Sequence, residues 1–232
     1  MKAIRAPHRW NVSPRRAADI QVSLRERLLL RSMRRNAPRL VAGADVSYEP
    51  GDDLFHAAVV VLKLPSLEMA EVARASGRVS FPYIPGYLSF REAPIVLRAW
   101  RRLRAAPELL LCDGQGIAHP RGFGLACHLG VILGIPSIGC AKSLLVGSHA
   151  EPGFDSGAHA PLMHKGRCVG SALRTRAGVR PIYVSPGHLV SLPGARRLVM
   201  SCGAGFRIPE PTRAAHLEVN RMRRDAAARA AS

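Results

Sequence analysis

The chain is predicted to fold as a single α/β domain, with a β-sheet covered by helices. Short apolar runs bounded by turn residues alternate with segments whose apolar residues recur at helical spacing. Hydrophobic residues fill 47% of the 232 positions, enough to bury a core without disulfides, and only 5% are aromatic, so aliphatic side chains must supply it. No internal repeat or linker composition interrupts the chain. Positions 1–232 therefore read as one domain, with 1–13 and 226–232 expected as flexible tails.

Segment 14–36 carries Ile20, Leu24, Leu28, Leu29 and Met33 among arginines, which predicts an amphipathic helix with a basic outer face. Segments 39–47, 54–64 and 67–79 are rich in Val, Leu and Ala and are separated by Pro50-Gly51-Asp52 and Pro65-Ser66, predicting a three-stranded antiparallel meander. Segment 79–86, with two prolines and two aromatics, reads as a loop. Ser89 or a neighbour then caps a helix running to about Arg104. A strand at 108–112, a loop from Asp113-Gly114, a helix at 124–133 and a strand at 136–140 follow. Residues 148–160 read as a mobile polar loop, 167–174, 181–184 and 197–202 as strands, and Thr212 opens a terminal helix to about Arg229.

Charge narrows the partners. Lys and Arg total 34 against 16 acids, a net charge of +18, which favours a polyanion because cationic side chains displace counterions condensed on phosphates. No segment forms a basic amphipathic anchor and no apolar run is long enough to cross a bilayer, so a membrane is not the expected partner. Cys112, Cys127, Cys140, Cys168 and Cys202 are odd in number and form no C-x-x-C pair, which predicts reduced thiols. The basic start is followed by no apolar signal core, and a cytoplasmic location is expected. No heptad pattern or large apolar stripe is present, so the expected state is a monomer.

Three acids stand at ends or turns of predicted elements: Asp45, Glu92 and Asp113. Asp45 is the least expected, because its neighbours Val41, Ala42, Ala44 and Val46 imply a buried strand and a buried carboxylate needs a partner or a metal. Asp113 follows the carboxyl end of a strand, where α/β sheets commonly place ligands. Such oxygen ligands suit Mg²⁺ or Mn²⁺, ions that assist phosphodiester hydrolysis. Each acid also has an ordinary reading: a turn at Asp113-Gly114, a first-turn helix acid at Glu92, an arginine pair at Asp45.

The residues around these acids are more specific. Gly43-Ala44-Asp45-Val46-Ser47-Tyr48, the run from Pro82 to Glu92, the run from Cys112 to Arg121, Ile138-Gly139-Cys140-Ala141-Lys142-Ser143, and the run from Arg207 to His216 occur in that order. Together they closely resemble the endonuclease V family, over about residues 15–225. The resemblance implies a ribonuclease H-like fold with a mixed sheet. It also implies a metal-dependent endonuclease, a deoxyribonuclease V, that recognises deoxyinosine (deaminated adenine) in DNA. Such an enzyme hydrolyses the second phosphodiester bond on the 3′ side, leaves a 3′-hydroxyl and a 5′-phosphate, and so initiates repair. Inosine-containing RNA is a further substrate the resemblance leaves open, as are a non-catalytic binding module and a ribonuclease H-like nuclease of other specificity.

By the same resemblance the metal cluster falls on Asp45, Glu92 and Asp113, and Lys142 and His216 join the catalytic group. Lys142 would neutralise phosphoryl charge, although by itself it is one cation among 34. His216, one helical turn beyond Thr212, would contact metal or handle phosphate and protons. His119 lies within reach of a flanking phosphate. Pro82, Tyr83, Ile84 and Pro85 resemble the family's wedge, in which a proline-stiffened aromatic fills the gap left by an extruded base. The lesion pocket falls around Gly86, Leu88, Gly114, Gly116, Leu125 and Gly139. Gln115 stands where many members carry His and Gly122 where a second basic residue often follows Arg121, so altered affinity or substrate tolerance is expected.

Overall fold

The computed structural model describes residues 6–31 and 37–230. Its centre is one mixed eight-stranded sheet of order β3-β2-β1-β4-β5-β8-β7-β6. The predicted meander is present: β1 (Leu40–Tyr48), β2 (Leu54–Lys63) and β3 (Met69–Arg78) are antiparallel neighbours. Beyond β1, β4 (Leu109–Cys112) and β5 (Ser137–Ala141) run parallel to it. The antiparallel strands β8 (Ile182–His188), β7 (Arg167–Leu173) and β6 (His159–His164) complete the sheet.

Period-two alternation assigns the faces. On one face Ala42, Ala44, Val59 and Val61 pack with Ala93, Ile95, Leu97 and Trp100 of α2 (Leu88–Trp100) and with Leu125 and Leu129 of α3 (Leu125–Leu133). On the other, Val41, Leu109, Leu111 and Val184 pack with Ala195 and Val199 of α4 (Leu192–Ser201), and Val60 and Leu62 with Ala215 of α5 (Glu210–Ala230). The register continues this rule to the site. Val41 pairs with Leu109 and Gly43 with Leu111, so Asp45, two residues further on β1, and Asp113, just past the end of β4, fall on the α5 side of the sheet.

Several expectations are corrected. The first helix, α1, spans only Pro14–Arg25. Ser13 caps it through Arg16 N at 3.3 Å, and Ala17, Ile20, Gln21 and Leu24 form its buried face. Leu28 and Leu29 follow in a non-helical segment that reaches β8, where Leu29 N meets His188 Nδ1 at 3.4 Å, while Met33 lies outside the described residues. Ser89 does not cap α2. It lies inside the helix, with its hydroxyl on His128 Nδ1 at 3.0 Å.

Segment 197–202 is helical: Ser191 caps α4, and Ala195, Val199 and Cys202 share its inward face at helical spacing. β6 falls where a loop was expected to end, and its Pro161 is tolerated because the strand lies at the sheet edge. The loop before β6 is held rather than mobile, since the buried Arg174 guanidinium bonds Gly153 O at 2.6 Å, Glu151 at 2.7 Å and Pro152 O at 3.1 Å. Both predicted tails contain described residues with defined structure. His8 Nε2 lies 2.7 Å from His128 Nε2 with Trp10 packed beside both, and α5 continues to Ala230.

Candidate active site

Five elements, β1, β4, β5, α2 and α5, meet at the carboxyl ends of β4 and β5. Ligand atoms of Asp45, Asp113 and His216 all lie within 4.8 Å of one another. The His216 ring, carried by α5, donates from Nδ1 to Asp45 Oδ2 at 2.7 Å, and Asn220 one turn later meets its Nε2 at 3.1 Å. Asp45 Oδ1 also accepts from Val46 N at 2.9 Å. Lys142, just past β5, places Nζ 2.5 Å from Asp113 Oδ2. Glu92 comes from α2 and stands outside the mutual group, yet near enough to feel it. Burial, then the charges of Asp45 and Asp113, push its carboxyl well above the usual carboxylate range. Burial and the Asp45 charge likewise raise Asp113, against the opposing pull of Lys142 and His216.

This crowding is the test of a metal site. Three acids in a half-buried cluster repel one another, and a bound cation would relieve that repulsion. The donor set is two carboxylates and an imidazole, with a third acid adjacent. Such a set fits a hard divalent cation.

Beside the cluster opens a cavity of about 320 Å³ that shares Asp113 and Lys142 with it. Tyr83, Ile84, Pro85, Gly86, Leu88, Gly114, His119 and Leu125 line it, together with Gln21 and Gln115. Pro82, Gly116 and Gly139 do not. Gly116 is packed on β8, where an added Cβ would lie 2.1 Å from Pro186 O, and Gly139 lies behind the wall, where its Cβ would meet Gly116 N at 2.4 Å. Their lack of a side chain permits backbone packing under the cavity rather than contact with its contents.

His119 also departs from expectation. Its Nε2 meets Gly86 O at 2.8 Å and its Nδ1 accepts from Arg121 N at 3.2 Å, so both ring nitrogens are used internally rather than offered to a phosphate. Gln21 Nε2 and Arg121 Nη2 bond the same Gly86 oxygen at 3.1 and 2.6 Å, and this convergence fixes the left-handed turn (φ +83) that shapes the cavity rim. Sequence reasoning missed Gln21. A polar residue on the apolar face of α1 was the available signal.

Burial pushes the His119 ring down to about 4. The ring is neutral in the fold and takes up its proton more readily when unfolded. Its contribution is therefore present above pH 6.5 and lost as the pH falls toward 4, by about 3 kcal/mol. His119→Gln should show a correspondingly shallower loss of unfolding free energy between pH 7 and pH 4. Parallel curves for the two proteins would contradict this assignment.

Fold and site together define a ribonuclease H-like α/β protein whose parallel central strands end in a carboxylate centre suited to a divalent cation. The family model for Endonuclease V matches residues 22–217. An Endonuclease V of Roseiflexus sp. (strain RS-1) is 55% identical over 89% of this chain and 91% of its own. The crystal structure of Endonuclease V from Streptomyces avermitilis superposes with a TM-score of 0.89 at 42% identity, covering 97% of this chain and all (100%) of that one. Endonuclease V of Ciona intestinalis, crystallised with a 23mer DNA containing an inosine followed by a ribo-adenosine, superposes at 0.81 with 26% identity, covering 93% of this chain and 100% of its own. The chain belongs to the endonuclease V family and is a nuclease.

Proposed function

We propose that the protein is a Mg²⁺-dependent endonuclease, with Mn²⁺ as a substitute, that recognises deoxyinosine in DNA and hydrolyses the second phosphodiester bond 3′ to it. The products are a 3′-hydroxyl and a 5′-phosphate, and the nick initiates repair. The observation that carries this reading is the shared wall: Asp113 and Lys142 border both the base-sized cavity and the carboxylate cluster, so an extruded base in one brings its strand to the other. The inosine-containing DNA crystallised with the Ciona relative supports the choice of base.

Asp45, Asp113 and Glu92 would hold the ion, with His216 at its edge. When bound, the ion supplies charge stabilisation to the phosphoryl oxygens and lowers the pKa of water. Lys142 stands ready to neutralise charge that builds on the phosphate, and Asn220 fixes the His216 ring. Tyr83 is 67% exposed between its two prolines, with the Arg91 guanidinium 5.7 Å from its ring centre, a placement that suits stacking on bases beside the lesion. The five free cysteines, four of them buried, accord with a reducing cytoplasm, and no helix among the described residues is long and apolar enough to cross a membrane. The enzyme acts as a monomer in this reading.

End-labelled duplexes with one inosine, and RNA counterparts, test the proposal in Mg²⁺ and in chelator. A metal-dependent nick one nucleotide beyond the inosine supports it, and the DNA-to-RNA rate ratio assigns the substrate. Tight metal-independent binding without a nick on either would replace it with a binding module. Tyr83→Ala should weaken lesion binding about tenfold while barely changing binding to undamaged duplex. Equal losses would make Tyr83 a general contact.

A further inference from the structure

Asp45 and Ser47 stand two residues apart on β1 and project from the same face, while His216 and Asn220 stand four apart on one face of α5. The two spacings nearly agree, about 6.6 Å along the strand and about 6 Å along the helix. The pairs therefore meet as two rungs. His216 Nδ1 lies 2.7 Å from Asp45 Oδ2, and Ser47 Oγ lies 3.2 Å from Asn220 Oδ1. Asn220 Nδ2 joins the rungs, 3.1 Å from His216 Nε2.

The direction of every bond follows from the Asp45 end. A carboxylate only accepts, so the proton of the neutral His216 ring sits on Nδ1. Nε2 is then bare and needs a donor, which the Asn220 amino group supplies. The amide oxygen, turned the other way, accepts from the Ser47 hydroxyl. Each group donates to the next, from Ser47 through Asn220 and His216 to Asp45. The other Asp45 oxygen accepts from Val46 N at 2.9 Å, so both oxygens are held while each keeps a second lone pair.

We propose that Ser47 and Asn220 are positioning residues for the metal centre, which hold His216 as its Nδ1–H tautomer so that the ring orients Asp45 and gives no lone pair to the cation. The inference rests on the reading of Asp45 as a ligand of that ion. With Nδ1 protonated and Nε2 occupied, the imidazole serves the ion only through the carboxylate. The ligands left to the ion are oxygen atoms, the set that suits Mg²⁺. A hydrogen-bonded partner behind a ligand fixes its direction, and its loss commonly lowers activity or metal affinity by tenfold or more.

The test labels histidine with ¹⁵N and records long-range ¹H–¹⁵N correlations at about pH 8, where an ordinary imidazole is neutral. These separate a protonated ring nitrogen from a bare one, and the His216 signals are assigned by their absence in His216→Gln. His216 is expected to show Nδ1 protonated and Nε2 bare, the reverse of the form that the free side chain favours in water. The pattern should persist when Mg²⁺ is added to saturation. A mixture of tautomers overturns the proposal, as does loss of the Nδ1 proton on adding Mg²⁺, which would make His216 a ligand. Ser47→Ala and Asn220→Leu should each release the ring into both tautomers and lower kcat on the inosine strand about tenfold, with binding of that strand in chelator unchanged. Ser47→Thr keeps the hydroxyl and should retain both tautomer and rate. Full rate in Asn220→Leu, or a Ser47→Thr protein as slow as Ser47→Ala, overturns the positioning role. The spectrum needs no cleavage, so a protein that holds the Nδ1–H tautomer yet never cuts beside inosine would refute the functional reading and leave the hydrogen-bond chain standing.

Discussion

Asp45→Asn should reduce cutting beside inosine by on the order of 10³-fold while changing binding of the inosine strand only a few-fold. The substitution keeps the shape of the side chain and leaves an oxygen that can still accept from Val46 N or the His216 ring. What it removes is the negative charge that, with Asp113 and Glu92, makes the cluster attractive to a cation. Loss of rate with retained binding separates a ligand of the ion from a residue that merely grips the strand. The fold should not suffer, because Asp45 is one of the charges that raise Asp113 and Glu92, and removing it relieves repulsion. Single-turnover cleavage in saturating Mg²⁺, beside binding measured in chelator, reads both quantities. Unchanged cleavage would take Asp45 out of the metal site.

The parts of this protein legible in its sequence are those set by local pattern. The meander shows itself through strand-length apolar runs and short turns, and α3 and β5 follow the turn at Asp113-Gly114. Segment 197–202 misleads because Leu198-Val199-Met200 is a short apolar run, for which strand and helix periods cannot be told apart. Only the inward face shared with Ala195 reveals the helix. The site divides in the same way. Asp45 and Asp113 are conspicuous as acids beside apolar strands, but their common side follows from the parallel register of β1 and β4, a non-local fact. The same holds for His216, which finds Asp45 across 171 positions, and for the three donors on Gly86 O, which come from α1 and the Asp113 loop. The glycines were legible as necessary, though not for which purpose: Gly86 turns the rim, while Gly116 and Gly139 admit neighbouring backbone.

Gly43 makes the last case, and its expected effect on the fold is larger than that of any catalytic substitution. It sits on β1 two residues before Asp45 and on the same face, where α5 begins. A Cβ added there would lie 1.9 Å from Pro211 O and 2.6 Å from Thr212 N, both backbone atoms that no rotamer change can move aside. Gly43→Ala must therefore push the start of α5 off the sheet, at a cost of about 3 kcal/mol or more. The same helix carries His216 and Asn220, so the displacement also draws the imidazole away from Asp45. A shift of about 1 Å at a reacting site can lower the rate by roughly 10²-fold, so kcat should fall by that order in the fraction that remains folded. Urea unfolding and single-turnover cleavage on the same preparation distinguish the two effects. A stable Gly43→Ala protein with normal kcat would show that the seat of α5 on β1 is not what places His216. Loss of stability with normal kcat would confine the contact to the fold. Loss of both is expected, because one backbone contact sets the helix and the helix sets the histidine.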